Sequence, residues 1–308
     1  MRIHLLVLLF CCLCLSSLLP AFSTSAFHQL ERDHIHIYYA KADSQYAQRA
    51  VRTLNSAFEE ITYDLQIKEF KNIHVFIVPS RQEFRQSLQG RLPEWTGAYA
   101  IPSEGRMVVK SPRWSAEDNF QSTLVHELFH LLVHSYLGVQ QLPRWMDEGL
   151  AIFYSRETAW TTSTALSKAM ATNSVIPLSD IDYVLEYHRA KADLAYQQSY
   201  SAVKYLLRTY DIEAIRKILQ GLKQGKSLDQ CFIAATGSPF TTFENEWKAH
   251  VEKTHKWFWF YEIDQYIWIF VFVLFFVVLI LRKLRNRRIV NQWLEEDVEE
   301  PDEEQREI

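Results

Sequence analysis

The chain has 308 residues, 48% of them hydrophobic and 23% charged, with a formal net charge of -4. That apolar share supports a folded core and excludes an intrinsically disordered chain. The mildly acidic balance provides no basic face for nucleic acid, so no nucleic-acid partner is expected.

The chain opens with Arg2, an apolar run over residues 5–19, and then small residues from Ser23 to Ala26. This is the grammar of a cleaved signal peptide, which predicts a leader over residues 1–26. The run is short for a membrane span. Cys11, Cys12 and Cys14 fall inside it, leaving Cys231 alone in the body, so no intrachain disulfide framework is expected there.

Residues 34–40 (HIHIYYA) alternate and are rich in β-formers, which predicts a strand. Residues 44–65 carry Ala47, Val51, Leu54, Phe58 and Ile61 at helical spacing. Residues 73–78 (IHVFIV) predict a buried strand, and residues 80–88 a short helix. Two short strands follow over residues 97–101 and 106–110, around the Pro102-Ser103-Glu104-Gly105 turn. A helix is predicted over residues 116–136, with Ser115 and Asp118 spaced as a capping box. The next runs over residues 144–154, just after Pro143. Further helices are predicted over residues 193–210, 212–221 and 242–253. Strands first and helices after make an α+β domain over residues 27–256, with a mixed N-terminal sheet and a helical C-terminal part.

The second apolar run, residues 266–281, contains no charge. Trp257, Trp259, Tyr261, Tyr266 and Trp268 gather on its N-terminal side like an interfacial belt. Arg282, Lys283, Arg285, Arg287 and Arg288 follow at once. One C-terminal transmembrane helix is expected over residues 257–282. The positive flank puts the C-terminus in the cytoplasm and the body outside it. Residues 283–308 then form a basic and afterwards acidic tail, expected to be solvated and disordered from Glu295 on, with no partner indicated.

The chemistry is concentrated in His126-Glu127-Leu128-Phe129-His130. Positions i and i+4 share one helix face, so His126 and His130 can direct their imidazoles at one metal ion. Glu127 is rotated by about 100° from His126. That sets its carboxylate beside the open coordination position, to take a proton from activated water and pass it to a leaving amine. Apolar neighbours on every side predict a buried helix, where two histidines and a glutamate need a metal or partners. A catalytic zinc site needs a third protein ligand. Glu148, in Trp145-Met-Asp147-Glu148-Gly149-Leu-Ala151, lies on the next helix and can fold back over His130. Asp147 is adjacent but a helical step off. His134 is about 12 Å along the axis from His126, too far to share one ion, and is expected behind the ligands or at the surface.

HExxH followed by W-x-x-E-G-L-A resembles the gluzincin zinc metallopeptidases of the peptidase MA-like branch. The resemblance covers roughly residues 35–253. It implies a zincin-like fold, one Zn2+ per chain on His126, His130 and Glu148, Glu127 as general base, and a peptide or protein substrate. Two departures stand out. Ile152 occupies the place of an aspartate that orients a zinc-bound histidine in thermolysin-like enzymes, and the His130–Glu148 spacing is one residue shorter than in the aminopeptidases. A later helix with a Y-x-x-S pattern is also shared. It makes Tyr200 the candidate donor to the oxyanion, with Tyr196 second. The strand at residues 106–110 is similar to the strand preceding the active helix in related enzymes, and is expected to pair with substrate backbone along a free edge. The rival reading is a catalytically inactive zincin-fold binding or regulatory domain tethered to the membrane.

Overall fold

The computed structural model describes residues 27–88, 97–115, 119–157, 165–186, 189–255 and 258–299. The expected leader, the start of the aromatic belt and the last residues of the tail lie outside them. The chain forms two units, residues 1–251 and 252–308.

The first unit opens with a five-stranded sheet of β1 (His28–Arg32), β2 (Ile35–Tyr39), β3 (Ile73–Val78), β4 (Ala98–Ile101) and β5 (Arg106–Lys110), in the order β1-β2-β3-β5-β4. β2, β3 and β5 run parallel, while β1 and β4 are antiparallel to their neighbours. The fold is α+β with a mixed sheet, as its sequence predicts. The register sets Ile35 beside Ile73, Ile37 beside Val75 and Val75 beside Met107, so one face is continuously apolar and buried. β5 lies inside the sheet, bonded to β3 and β4, which overturns the expectation that residues 106–110 offer a free edge. The end strands are β1 and β4, and β4 lies alongside the central helix α3 (Phe120–Leu137).

Helix α1 (Ser44–Leu65) buries Ala47, Val51, Leu54 and Ile61, and α2 (Arg81–Leu88) sets Phe84 with Phe76, Val78 and Val108 of the other sheet face. Buried Asp43, just before α1, accepts from Ser111 Oγ at 2.6 Å and Arg113 Nε at 2.6 Å, which fastens the segment leading from β5 toward α3. The expected capping box at Ser115 and Asp118 falls partly outside the described residues. Buried side chains of α3 lie nearly all around it, including Leu124, Val125, Leu128, Phe129, Leu132 and Val133. A helix with that pattern belongs in a core, and α3 packs between the sheet side and the helical half.

α4 (Arg144–Ser155) returns along α3 and packs against α6 (Arg189–Lys223). Gly149 permits that approach: a Cβ there would collide with the backbone oxygen of Ser199 and lie 2.6 Å from Val203 Cγ2. Gly149→Ala is therefore expected to cost about 1–3 kcal/mol, measured as a lower denaturant midpoint with an unchanged slope. Two buried glutamines of α6 hold the chain before it. Gln197 accepts from Leu166 N of α5 (Ala165–Ala171), and Gln198 pairs with both backbone groups of Ile176. α6 contains a non-helical residue, Asp211, at the point where the sequence separates two helices. α7 (Leu228–Thr236), opened by a Ser227–Gln230 capping box, and α8 (Phe240–His255) complete the core with Phe232, Phe243 and Trp247.

The second unit holds α9 (Phe258–Glu299), a helix of 42 residues. Tyr266–Asn291 is long and apolar enough to cross a membrane, and its large apolar side chains are exposed. The helix runs well beyond the apolar stretch. At a rise of about 1.5 Å per residue it exceeds a hydrocarbon core of about 30 Å roughly twofold. The helix continues to Glu299, into the acidic tail: no Gly or Pro interrupts residues 258–299, and Arg, Lys and Glu are good helix formers.

Candidate metal centre

α3 and α4 meet so that Glu148 faces the His126–His130 side of α3. Glu148 Oε2 lies 3.2 Å from His126 Nε2 and 3.8 Å from His130 Nε2. The three residues bring ligand atoms within 4.8 Å of one another. A tetrahedral set with metal bonds of about 2.0–2.2 Å has edges of about 3.3–3.6 Å, and the 3.2 and 3.8 Å spacings bracket that range. The donor set of two imidazoles and a carboxylate suits zinc.

The surroundings keep these groups in place. Arg144 sits one turn before Glu148 on α4 and donates from Nη2 to Glu148 Oε1 at 2.7 Å. Burial works against the Glu148 carboxylate, but Arg144 and the two histidines prevail and hold its pKa down at about 2. Burial likewise opposes a charged His126, yet Glu148 and Glu157 push its pKa well above the usual histidine value. Burial raises the pKa of Glu127, partly offset by His126 and His130. Glu127 thus occupies the next position on the helix, outside the set of converging ligand atoms, with its proton held more tightly than on a surface glutamate.

Asp147 takes a different part. Its Oδ1 pairs with His130 Nδ1 at 3.0 Å and its Oδ2 with His134 Nε2 at 2.9 Å. Burial disfavours the ionised Asp147, but the two imidazoles outweigh it and hold its pKa far below the normal range. His130, His134 and Asp147 also gather ligand atoms within 4.8 Å. In that group each carboxylate oxygen already meets its own ring nitrogen at hydrogen-bond distance. It is a brace behind His130, whereas the first group shares a single oxygen between two imidazoles. His126 has a carboxylate on its outer side as well: Glu157 Oε1 lies 3.0 Å from Nδ1, off the line of a well-formed N–H bond.

Of the two tyrosines expected on α6, Tyr196 shares the field of the centre. Burial raises its pKa far above the ordinary phenol value, and the charges of Glu148, Arg144, Glu127 and Glu157 act on it. Tyr200 is shifted by burial alone, and Lys204 stands 5.8 Å from its ring centroid. The two positions differ by one helical turn, about 6 Å along the axis. The charges of the centre thus act on Tyr196, the second of the two candidates, and favour it for the role that the sequence assigned first to Tyr200.

Arg144 and Glu157 were not among the residues expected from sequence. The i, i+4 spacing of Arg144 and Glu148 is a legible signal for the first. Glu157 lies beyond the end of α4, where no periodicity applies. A cavity of about 530 Å³ opens beside the centre, lined by Arg144, Asp147, His134, Asp182, Leu142 and Phe240 among others.

Among curated proteins no match to the chain is found. A profile of the Peptidase MA superfamily matches residues 53–253, which include both metal-side helices and the tyrosine-bearing α6. The chain belongs to the Peptidase MA superfamily.

Proposed function

We propose that this protein is a zinc-dependent metallopeptidase anchored in a membrane by α9. The observation that carries the reading is the single Glu148 oxygen shared between His126 and His130, with Glu127 beside them and outside the ligand set. His126, His130 and Glu148 hold the ion. When bound, the ion supplies Lewis acidity toward the scissile carbonyl and lowers the pKa of water.

Glu127 takes the proton from the attacking water and delivers it to the leaving amine. Its burial favours this exchange, because a raised pKa makes the carboxylate a readier proton acceptor than a surface glutamate. The Tyr196 hydroxyl donates to the oxygen that becomes negative during attack, and burial keeps that proton on the phenol. β4, the end strand beside α3, is the edge along which an extended substrate backbone pairs.

The full reading includes a leader over residues 1–26, a peptidase domain over 27–256 on the extracytoplasmic side, a span over 257–282, and residues 283–308 in the cytoplasm. The cluster of basic residues right after the apolar stretch supports that orientation.

The test is hydrolysis of a peptide library by the full chain in detergent. Cleavage that a chelator abolishes and zinc restores is expected; no cleavage by a metal-loaded chain supports the inactive tethered domain instead. Tyr196→Phe is expected to lower kcat by about 10²–10³-fold with little change in KM. Tyr200→Phe is expected to stay within about twofold of wild type, since a surface-side change away from the centre is near neutral. The opposite ranking would return the oxyanion role to Tyr200.

A further inference from the structure

A metal-bound imidazole works best when its second ring nitrogen donates to a fixed acceptor, which sets the tautomer and raises the basicity of the ligand nitrogen. Asp147 serves His130 in this way. For His126 the position one turn after Glu148 is unusable, because Ile152 there is apolar and fully buried. The chain meets the need from farther along. Arg156 ends α4 in the left-handed conformation, with φ 55° and ψ 36°. Its guanidinium is held by Glu60 of α1 at 2.8 Å, and Tyr154, two residues earlier, reaches Asp64 of the same helix at 3.4 Å. The turn fastened in this way brings the Glu157 carboxylate to 3.0 Å from His126 Nδ1. That nitrogen is buried and has no well-aligned hydrogen bond.

We infer that Glu157 is the positioning residue for His126, an outer carboxylate supplied from beyond the end of α4. The inference rests on the metal-centre reading above. An ion on His126 Nε2 leaves the ring proton on Nδ1, where Glu157 is the acceptor at hand. A small swivel of the ring or carboxylate then converts the close contact into an aligned bond. Glu157 does not touch substrate; it acts through His126. Metal loading and the turn after α4 are therefore linked, each favouring the other.

The test is zinc affinity of the full chain, measured by competition with a chromophoric chelator, together with the visible spectrum of the cobalt-loaded chain and the melting of the metal-free chain. Glu157→Ala is expected to weaken zinc binding by about 10–100-fold and to shift the cobalt bands. Glu157→Gln keeps the size and an acceptor oxygen but not the charge, and is expected to fall between Ala and wild type. Metal-free Glu157→Gln should melt with the wild type. Zinc affinity unchanged in both variants, with a wild type that binds zinc, overturns the role of Glu157 and leaves the metal centre standing. A weaker affinity matched by an equal loss of metal-free stability in Glu157→Gln also overturns it, because the residue would then be structural. A wild type that binds no zinc overturns the metal centre itself.

Discussion

Glu127→Gln is expected to lower peptide hydrolysis by at least about 10²–10⁴-fold, the range for losing a positioned acid–base group, while zinc content stays at the wild-type level. The side chains have nearly the same volume, so the packing of α3 between sheet and helices is preserved, and the melting temperature should move little. What changes is proton chemistry. The glutamine amide cannot accept a proton from water or return one to the amine. The separation of effects is diagnostic, because Glu127 lies next to His126 in sequence yet outside the set of ligand atoms that converge. The measurement is paired: hydrolysis of an identified library peptide, and bound metal by elemental analysis. A variant that loses its metal along with its activity would place Glu127 among the ligands. One that cleaves like the wild type would remove it from the chemistry.

Glu148→Ala is expected to have the opposite profile and to lose the metal. It removes the one oxygen that faces both imidazoles. The fall in zinc affinity should exceed the roughly 10–100-fold typical of a partner outside the ligand set. A second consequence follows for the metal-free chain. Arg144 is mostly buried and donates to Glu148, so the truncation leaves its charge without that counter-ion. Glu148→Ala should therefore also lower metal-free stability. Glu148→Gln keeps a hydrogen-bond acceptor for Arg144 but carries no charge for the ion, and should spare more of the stability than of the zinc affinity. Isothermal titration and denaturant melts of the two variants separate these losses. Zinc affinity unchanged in Glu148→Ala would shift the third ligand to another residue, with Asp147 and Glu157 the carboxylates within 3.0 Å of a ring nitrogen.

The parts of this molecule that were legible in sequence are those set by local periodicity. His126 and His130 fall on one helix face because four residues make about one turn. Pro143 announced the helix that carries Glu148, and the break at Asp211 fell between two apolar patterns. Strand order was not legible in this way. β3 pairs with β5 across a long intervening segment, so β4 rather than β5 becomes the end of the sheet. β1 (HQLER) lacks apolar alternation and is a strand only because β2 offers it a partner. α7 carried readable signals as well, the Ser227–Gln230 capping spacing and the helical spacing of Leu228, Cys231, Phe232 and Ala235. At the centre, the ligand triad follows from spacing and resemblance, but its supports do not. Asp147 and Glu157 reach the outer nitrogens of two histidines through the packing of α4 on α3 and the side-chain bonds of Tyr154 and Arg156 to α1, which no local pattern encodes. Tyr196 and Tyr200 lie a single helical turn apart, and which of them shares the field of the centre depends on how α4 packs on α6, where Gly149 meets Ser199 and Val203.

The central claim is that His126, His130 and Glu148 hold one zinc ion, and the most direct measurement is the metal content of the full-length chain purified in detergent without chelators. The account predicts about one zinc per wild-type chain, and far less than one in both His130→Ala and Glu148→Ala prepared alongside. A wild-type chain that holds no metal, even after incubation with zinc and removal of the excess, would contradict it.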